Sequence, residues 1–183
     1  MISINRTRAA VMASAALTTL SLFAIAPSRA ADSSDALVRA LQSRVQTLED
    51  REAIHKLLDD YGRLIDERNF DAFAQLWAKA SEYDSAGTVT KGPAAIAGFL
   101  KDIIGRNPSG FGTPNFHVFF NETVEVNGDT ATARSKAAFM VPAEGNKPSM
   151  VMLANYHDEL VREDGRWKFL KRVVRGDIPA PKR

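Results

Sequence analysis

The order in which the hydrophobic pattern changes along this chain predicts an α+β domain: helical spacing comes first and strand texture last. Apolar residues recur at helical intervals from residue 34 to residue 104, and a stretch from Gly105 to Pro114 rich in Gly and Pro then ends that regime. Beyond it, turn signals at Asn127-Gly128-Asp129, Glu144-Gly145-Asn146 and Glu163-Asp164-Gly165 separate extended segments. The expected architecture places helices on one face of a curved, mostly antiparallel sheet.

The first thirty residues are read as lying outside that domain. Arg6 and Arg8 make a short basic start, an apolar run follows from Ala9 to Ala26, and Pro27 breaks it. Ser28-Arg29-Ala30 then offers small residues at the two positions a signal peptidase reads. A membrane anchor is the alternative, because the run is nearly long enough to span a bilayer. Its richness in Ala, Ser and Thr and its cleavage site favour a cleavable signal, hence a periplasmic or secreted product without stable membrane insertion.

Cleavage there would remove three of the 24 basic residues and leave 21 against 22 acidic ones. The basic character of the full chain therefore belongs to the signal, and no basic patch interleaved with aromatics remains to bind nucleic acid. There is no cysteine, so in an oxidising compartment the domain stands on its core alone. A remainder of about 150 residues is long enough for that, since such a chain buries about 70% of its extended surface.

An N-terminal helical extension is placed at 31–50, with Ser34 to Asp50 read as an amphipathic helix whose Leu37, Leu41, Val45 and Leu48 form a narrow stripe suited to packing or to a dimer contact. The domain proper is placed at 51–178, followed by a short tail at 179–183. Helical spacing restarts at Ala53 with Ile54, Leu57, Leu58, Tyr61, Leu64 and Ile65, and closes at Asp66. A shorter helix is expected from Phe70 to about Ala80, with Phe73, Leu76 and Trp77 inward. A third opens at Gly92-Pro93, where Pro suits the first helical turn. Strands follow over Phe116–Val126, Thr130–Val141, Ser149–Arg162 and Trp167–Val174. Phe116, Phe119 and Phe120 put bulk on both faces of their strand, so the second face is expected to be covered by another subunit in a homodimer or homotrimer.

Several segments, taken in order, resemble the SnoaL-like branch of the nuclear transport factor 2-like superfamily. Ile54-His55-Lys56-Leu57-Leu58-Asp59-Asp60-Tyr61-Gly62-Arg63-Leu64-Ile65-Asp66 is similar to that family's opening helix, in which a Tyr or Lys precedes a helix-ending Asp by five residues. Lys91-Gly92-Pro93-Ala94-Ala95-Ile96 resembles its entry to the third helix. His117-Val118-Phe119-Phe120-Asn121, followed by Val126-Asn127-Gly128-Asp129, resembles its His-bearing strand and hairpin. Tyr156-His157-Asp158 and Arg162 to Phe169, with Arg172, resemble its closing hairpin. The resemblance covers Leu48 to Asp177 and implies a cone-shaped α+β barrel whose N-terminal helices enclose a pocket. It is closest to the group of scytalone dehydratase, bile-acid 7α-dehydratase and hexachlorocyclohexane dehydrochlorinase.

Of the three histidines, His55 reads as a solvated or satisfied helix residue and His157 as a surface or interface residue on the face opposite Tyr156 and Asp158. No metal site is indicated, because no third ligand accompanies His55 and Asp59. His117 sits in a strand crowded with Phe, where an imidazole is shielded. Residue pattern alone favours a buried structural His there and a turn-forming Asp at position 66. The resemblance implies instead that His117 is a general base and Asp66 its orienting partner. It also implies that Tyr61 is a proton donor and Arg172 a pocket-lining cation for a developing anion. Tyr156, Asp158, Asn115, Trp77 and Phe119 are placed on the pocket wall.

The resembling dehydrochlorinase carries Lys where this chain has Tyr61, and the dehydratases carry Tyr, which points towards loss of water. No Cys exists and no Ser sits in a nucleophile-elbow context, so acyl-enzyme chemistry is unsupported. The expectation is a lyase that needs no cofactor and acts on a small hydrophobic, cyclic or aromatic molecule. An isomerase using the same base, a non-catalytic periplasmic binding protein and an assembly module stand as alternatives.

Overall fold

The computed structural model describes residues 29–107 and 113–178. Almost all of the signal segment, and the tail at 179–183, lie outside the described residues. The chain divides into two compact units, Met1–Val38 and Arg39–Arg183. In the first, the described residues are the opening turns of a helix whose side chains are exposed from Ser33 onward.

That helix, α1 (Arg29–Asp66), is continuous through the point where the sequence pattern restarts. No breaker interrupts residues 50–53, so the helix runs on from one amphipathic pattern into the next. Its second half buries Ile54, Leu57, Leu58, Tyr61, Leu64 and Ile65 in the core. Helix α2 (Phe70–Ala74) is capped by Asn69, whose side chain accepts from the Ala72 N–H at 3.2 Å. It stops six residues short of the expected end, because Trp77–Ser85 is strand β1. Sheet pairing overrides the local helical pattern there: Trp77 lies beside Phe169, and the Phe169 N–H donates to the Leu76 carbonyl at 2.9 Å.

Strand β2 (Thr88–Lys91), helix α3 (Pro93–Leu100) and a π-helical turn at Lys101–Gly105 follow. Then come β3 (Phe116–Asn127), β4 (Thr130–Pro142), β5 (Pro148–Glu163) and β6 (Arg166–Ile178). The six strands form one open sheet in the order β2-β1-β6-β5-β4-β3, antiparallel except for the parallel pair β1 and β6. The α+β class, with helices followed by a curved and mostly antiparallel sheet, is thus the observed one; the sheet does not close.

Two of the sheet's register slips bear on the site residues. Between Phe120 and Thr123 the β3–β4 register slips, with Asn121 in the left-handed region at φ 54°. Between Phe169 and Lys171 the β5–β6 register slips around Leu170. Strict alternation puts Arg172 on the face opposite Trp167 and Phe169; the extra residue at Leu170 returns it to theirs.

Asp50 fastens α1 to the β5–β6 hairpin. Its carboxylate accepts from the Arg162 guanidinium, from Trp167 Nε1 at 3.2 Å and from Gln46 Nε2 at 3.2 Å. Burial alone would raise the Asp50 pKa, but those donors outweigh it and hold the carboxyl below its ordinary value of 3.8. A carboxyl depressed in the folded state contributes stability that is complete above its unfolded pKa and is lost as pH falls through the folded one. Asp50→Asn is therefore expected to lower stability at neutral pH and to flatten the decline below about pH 4. Denaturant midpoints across pH 2–7 check this; parallel curves for both proteins would refute it.

Candidate active site

The end of α1 and the start of β3 are brought together by Asp66. Its Oδ2 accepts the His117 backbone N–H at 2.7 Å, and its Oδ1 lies 2.7 Å from His117 Nδ1. An ionised carboxylate can only accept, so Nδ1 is the nitrogen that carries a proton towards it, and in the neutral ring Nε2 is the one with the lone pair. Both side chains are largely shielded, with exposures of 7% for His117 and 14% for Asp66. The imidazole packs on the Phe139 ring with centroids 4.8 Å apart.

Two features set this pair in place. Arg68, at φ 61°, donates from Nη1 to the carbonyls of Ile65 and Asp66 at 3.0 Å each, and to Asn115 Oδ1 at 3.1 Å. It thus closes the end of α1 and ties it to the residue before β3. Gly62 lets the strand approach the helix. A Cβ there would lie 2.9 Å from the Phe119 ring and 3.3 Å from His117 Cβ.

His117 lines an apolar cavity of about 570 Å³. Tyr61, Tyr83, Ser85 and Tyr156 supply its other polar groups, while Ile65, Phe99, Ile103, Phe139, Met152 and Val174 are among its apolar wall. The Tyr61 hydroxyl donates to that of Tyr83 at 3.4 Å, a long contact. Burial raises the pKa of Tyr61, Tyr83 and Tyr156, with neighbouring phenols adding to the rise for Tyr61 and Tyr156. All three remain protonated at neutral pH and can donate to a ligand oxygen.

Of the expected site residues, Tyr61, His117 and Tyr156 share the cavity wall, and Asp66 stands behind His117. The others are placed elsewhere. Arg172 is fully buried and grips Asp158 bidentately, Nε to Oδ1 at 2.7 Å and Nη2 to Oδ2 at 2.8 Å. Its guanidinium carbon lies 3.9 Å from the Tyr61 ring centre and 4.1 Å from that of Phe169. Burial alone would lower the Arg172 pKa, but Asp158 more than reverses this, so Arg172 stays charged. The pair therefore sits beneath the aromatic floor, not on the wall, because the bulge at Leu170 turns Arg172 into the core.

Asp158 is spent on that pair, and Asn115 on the Arg68 clamp. Trp77 and Phe119 pack edge-on to Tyr61, with centroids at 6.3 and 6.0 Å, and belong to the core behind it. Of the cavity's polar side chains, sequence reasoning missed Tyr83 and Ser85, and Tyr83 is the larger. Its signal lay in the alternation of buried Ser81 and Tyr83 with the less buried Glu82 and Asp84, which the expected helix over 70–80 stopped just short of. His55 pairs with Glu122 at 2.8 Å, and His157 is exposed.

Solved structures share this arrangement of elements. A nuclear transport factor 2-like protein with a cystatin-like fold from Novosphingobium aromaticivorans is 31% identical, with a TM-score of 0.66 over 73% of this chain and 86% of that one. A hexachlorocyclohexane dehydrochlorinase from Novosphingobium barchaimii is 26% identical, with a TM-score of 0.60 over 73% of this chain and 90% of that one. An uncharacterized protein of Mycobacterium tuberculosis is 27% identical over 132 residues, 70% of this chain and 86% of that protein. The SnoaL-like domain model matches residues 46–173, and the chain belongs to that family.

Proposed function

We propose that this protein is a cofactor-independent lyase of dehydratase type, acting on a small hydrophobic, cyclic or aromatic molecule. One observation carries the reading: a His held by a carboxylate through Nδ1 borders an apolar cavity whose other polar groups are neutral hydroxyls. The similarity to a dehydrochlorinase supports elimination as the reaction class. Tyr61, at the position where the resembling dehydrochlorinase carries Lys, favours loss of water over loss of chloride.

The chemistry follows from the geometry. His117 Nε2 takes a proton from a carbon next to the substrate's carbonyl, and Asp66 stabilises the imidazolium. The electrons of the broken C–H bond move onto the carbonyl oxygen, which takes a hydrogen bond from the Tyr61 hydroxyl. They then form the C=C bond as the β-hydroxyl departs. His117 returns its proton to that hydroxyl, so water leaves and the enzyme is restored. Arg172 acts through Tyr61, its charge lying under the ring.

The test is to identify by native mass spectrometry the molecule that copurifies with the protein, and to incubate it or its β-hydroxy precursor with enzyme. Loss of water is the expected result. Deuterium uptake with a shifted double bond would indicate an isomerase using the same base. Binding without change under all conditions would replace the enzyme with a ligand-binding protein.

Export and assembly are proposed with it. Phe116, Val118, Met150 and Ile178 leave apolar surface exposed on strands β3, β5 and β6, which supports a homodimer or homotrimer. Osmotic shock of a Gram-negative host should release a chain beginning within one residue of Ala31. Light scattering should then find an oligomer at micromolar concentration, and a monomer would count against it.

A further inference from the structure

The first half of α1 carries a second hydrophobic pattern that the domain does not use. Leu41, Val45 and Leu48 are 48%, 52% and 65% exposed, at spacings of four and three residues. Carried one step back along the same helix, the spacing reaches Val38. This is the heptad rule, with Val at the first position of the seam and Leu at the fourth, the combination that suits two parallel strands.

The opposite side of the helix is already occupied. Asp50 lies two residues beyond Leu48 and turns towards Arg162 and Trp167, with Gln46 bonded to it. Further along, Ile54, Leu57, Leu58 and Tyr61 continue that inward side into the core. The Leu41-Val45-Leu48 seam therefore faces away from the chain's own domain. Flanking charges fit a copy of the same segment. In a parallel pair, Arg44 on one helix comes opposite Glu49 on the other, the five-residue offset at which seam-flanking charges meet.

We infer that residues 41–49 of α1 pair in parallel and in register with the same residues of a second copy of this chain. So short a seam would not hold free peptides together. Here the helix is nucleated and anchored by its own continuation, whose residues from Ile54 to Ile65 lie in the core. Pairing the seams costs no helix formation, and any second contact between the copies raises the effective concentration of the arms.

The absence of cysteine from the chain makes the test direct. Val45→Cys puts a thiol in the seam, and Ala40→Cys puts one on the same exposed helix, off the seam. Each full-length variant is reduced, then oxidised at micromolar concentration, and disulfide-linked dimer is followed on non-reducing gels. Val45→Cys is expected to cross-link at least tenfold faster than Ala40→Cys. Adding Leu48→Glu to Val45→Cys should abolish that advantage without changing the helical circular dichroism signal, because Leu48 is exposed. Equal rates for the two single variants would overturn the inference. So would a Val45→Cys advantage that survives Leu48→Glu, since the copies would then meet through another surface.

Discussion

His117→Ala is expected to lower kcat by roughly 10²–10⁴, the usual worth of a positioned general base. Asp66→Asn should lower it as well. An amide at position 66 offers its oxygen or its NH2 to Nδ1, and in the second orientation it favours the tautomer whose Nε2 carries the proton. The Asp66 carboxylate also holds the His117 backbone N–H at 2.7 Å, so the variant loosens the strand start along with the ring. Because the two residues act as one unit, the double variant should fall little further than the worse single one. Ligand affinity should change much less than rate, since proton abstraction is a transition-state event. Stability must be followed in parallel, because a half-removed buried pair leaves an unsatisfied group costing about 1–3 kcal/mol. A folded His117→Ala protein that turns over the identified substrate at the wild-type rate would end the catalytic reading.

Much of this pair was legible before the structure, and for a definable reason. Asp66 closes a strongly periodic helix and His117 opens a strand crowded with Phe, so both stand at element boundaries marked by local chemistry. Their meeting was not legible from pattern alone, because it depends on how α1 lies across the sheet. The resemblance supplied that step. Tyr61 and Tyr156 were readable in the same way, from inward positions on a periodic helix and on an alternating strand.

The errors share one physical origin, pairing that overrides local pattern. The segment after Ala74 has helical spacing, yet Trp77–Ser85 is recruited as a strand by parallel pairing with β6. Tyr83 was overlooked with it. The bulge at Leu170 reverses the face of the residues that follow it as far as Gly176, and no turn residue announces it. Arg172 therefore left the wall for the core, and Asp158 followed as its partner. The Asp50 network escaped notice because Arg162 and Trp167 lie 112 and 117 residues from Asp50 in sequence.

The Asp158–Arg172 pair carries the second large effect. Both side chains have 0% exposure, and both oxygens of Asp158 are taken up by the guanidinium. Burying two charges is costly, and their mutual attraction repays that cost only while both are present. Asp158→Leu leaves Arg172 charged beneath Tyr61, Phe169 and Tyr156, with ring faces as its nearest compensation. A loss of about 3–5 kcal/mol is expected, a large share of the roughly 5–15 kcal/mol that holds an ordinary domain folded. Arg172→Met should cost a similar amount by stranding the carboxylate. The double variant Asp158→Leu with Arg172→Met should recover most of the loss, because an apolar pair of similar volume removes both desolvation penalties. Denaturant unfolding of the four proteins closes the cycle, and additive losses would refute the coupling. The same series separates fold from chemistry. If Arg172 supports Tyr61 electrostatically, the double variant should regain stability while kcat stays depressed and KM moves little. A stable double variant with full activity would leave Arg172 a purely structural residue, and Tyr61 would need no charge beneath its ring.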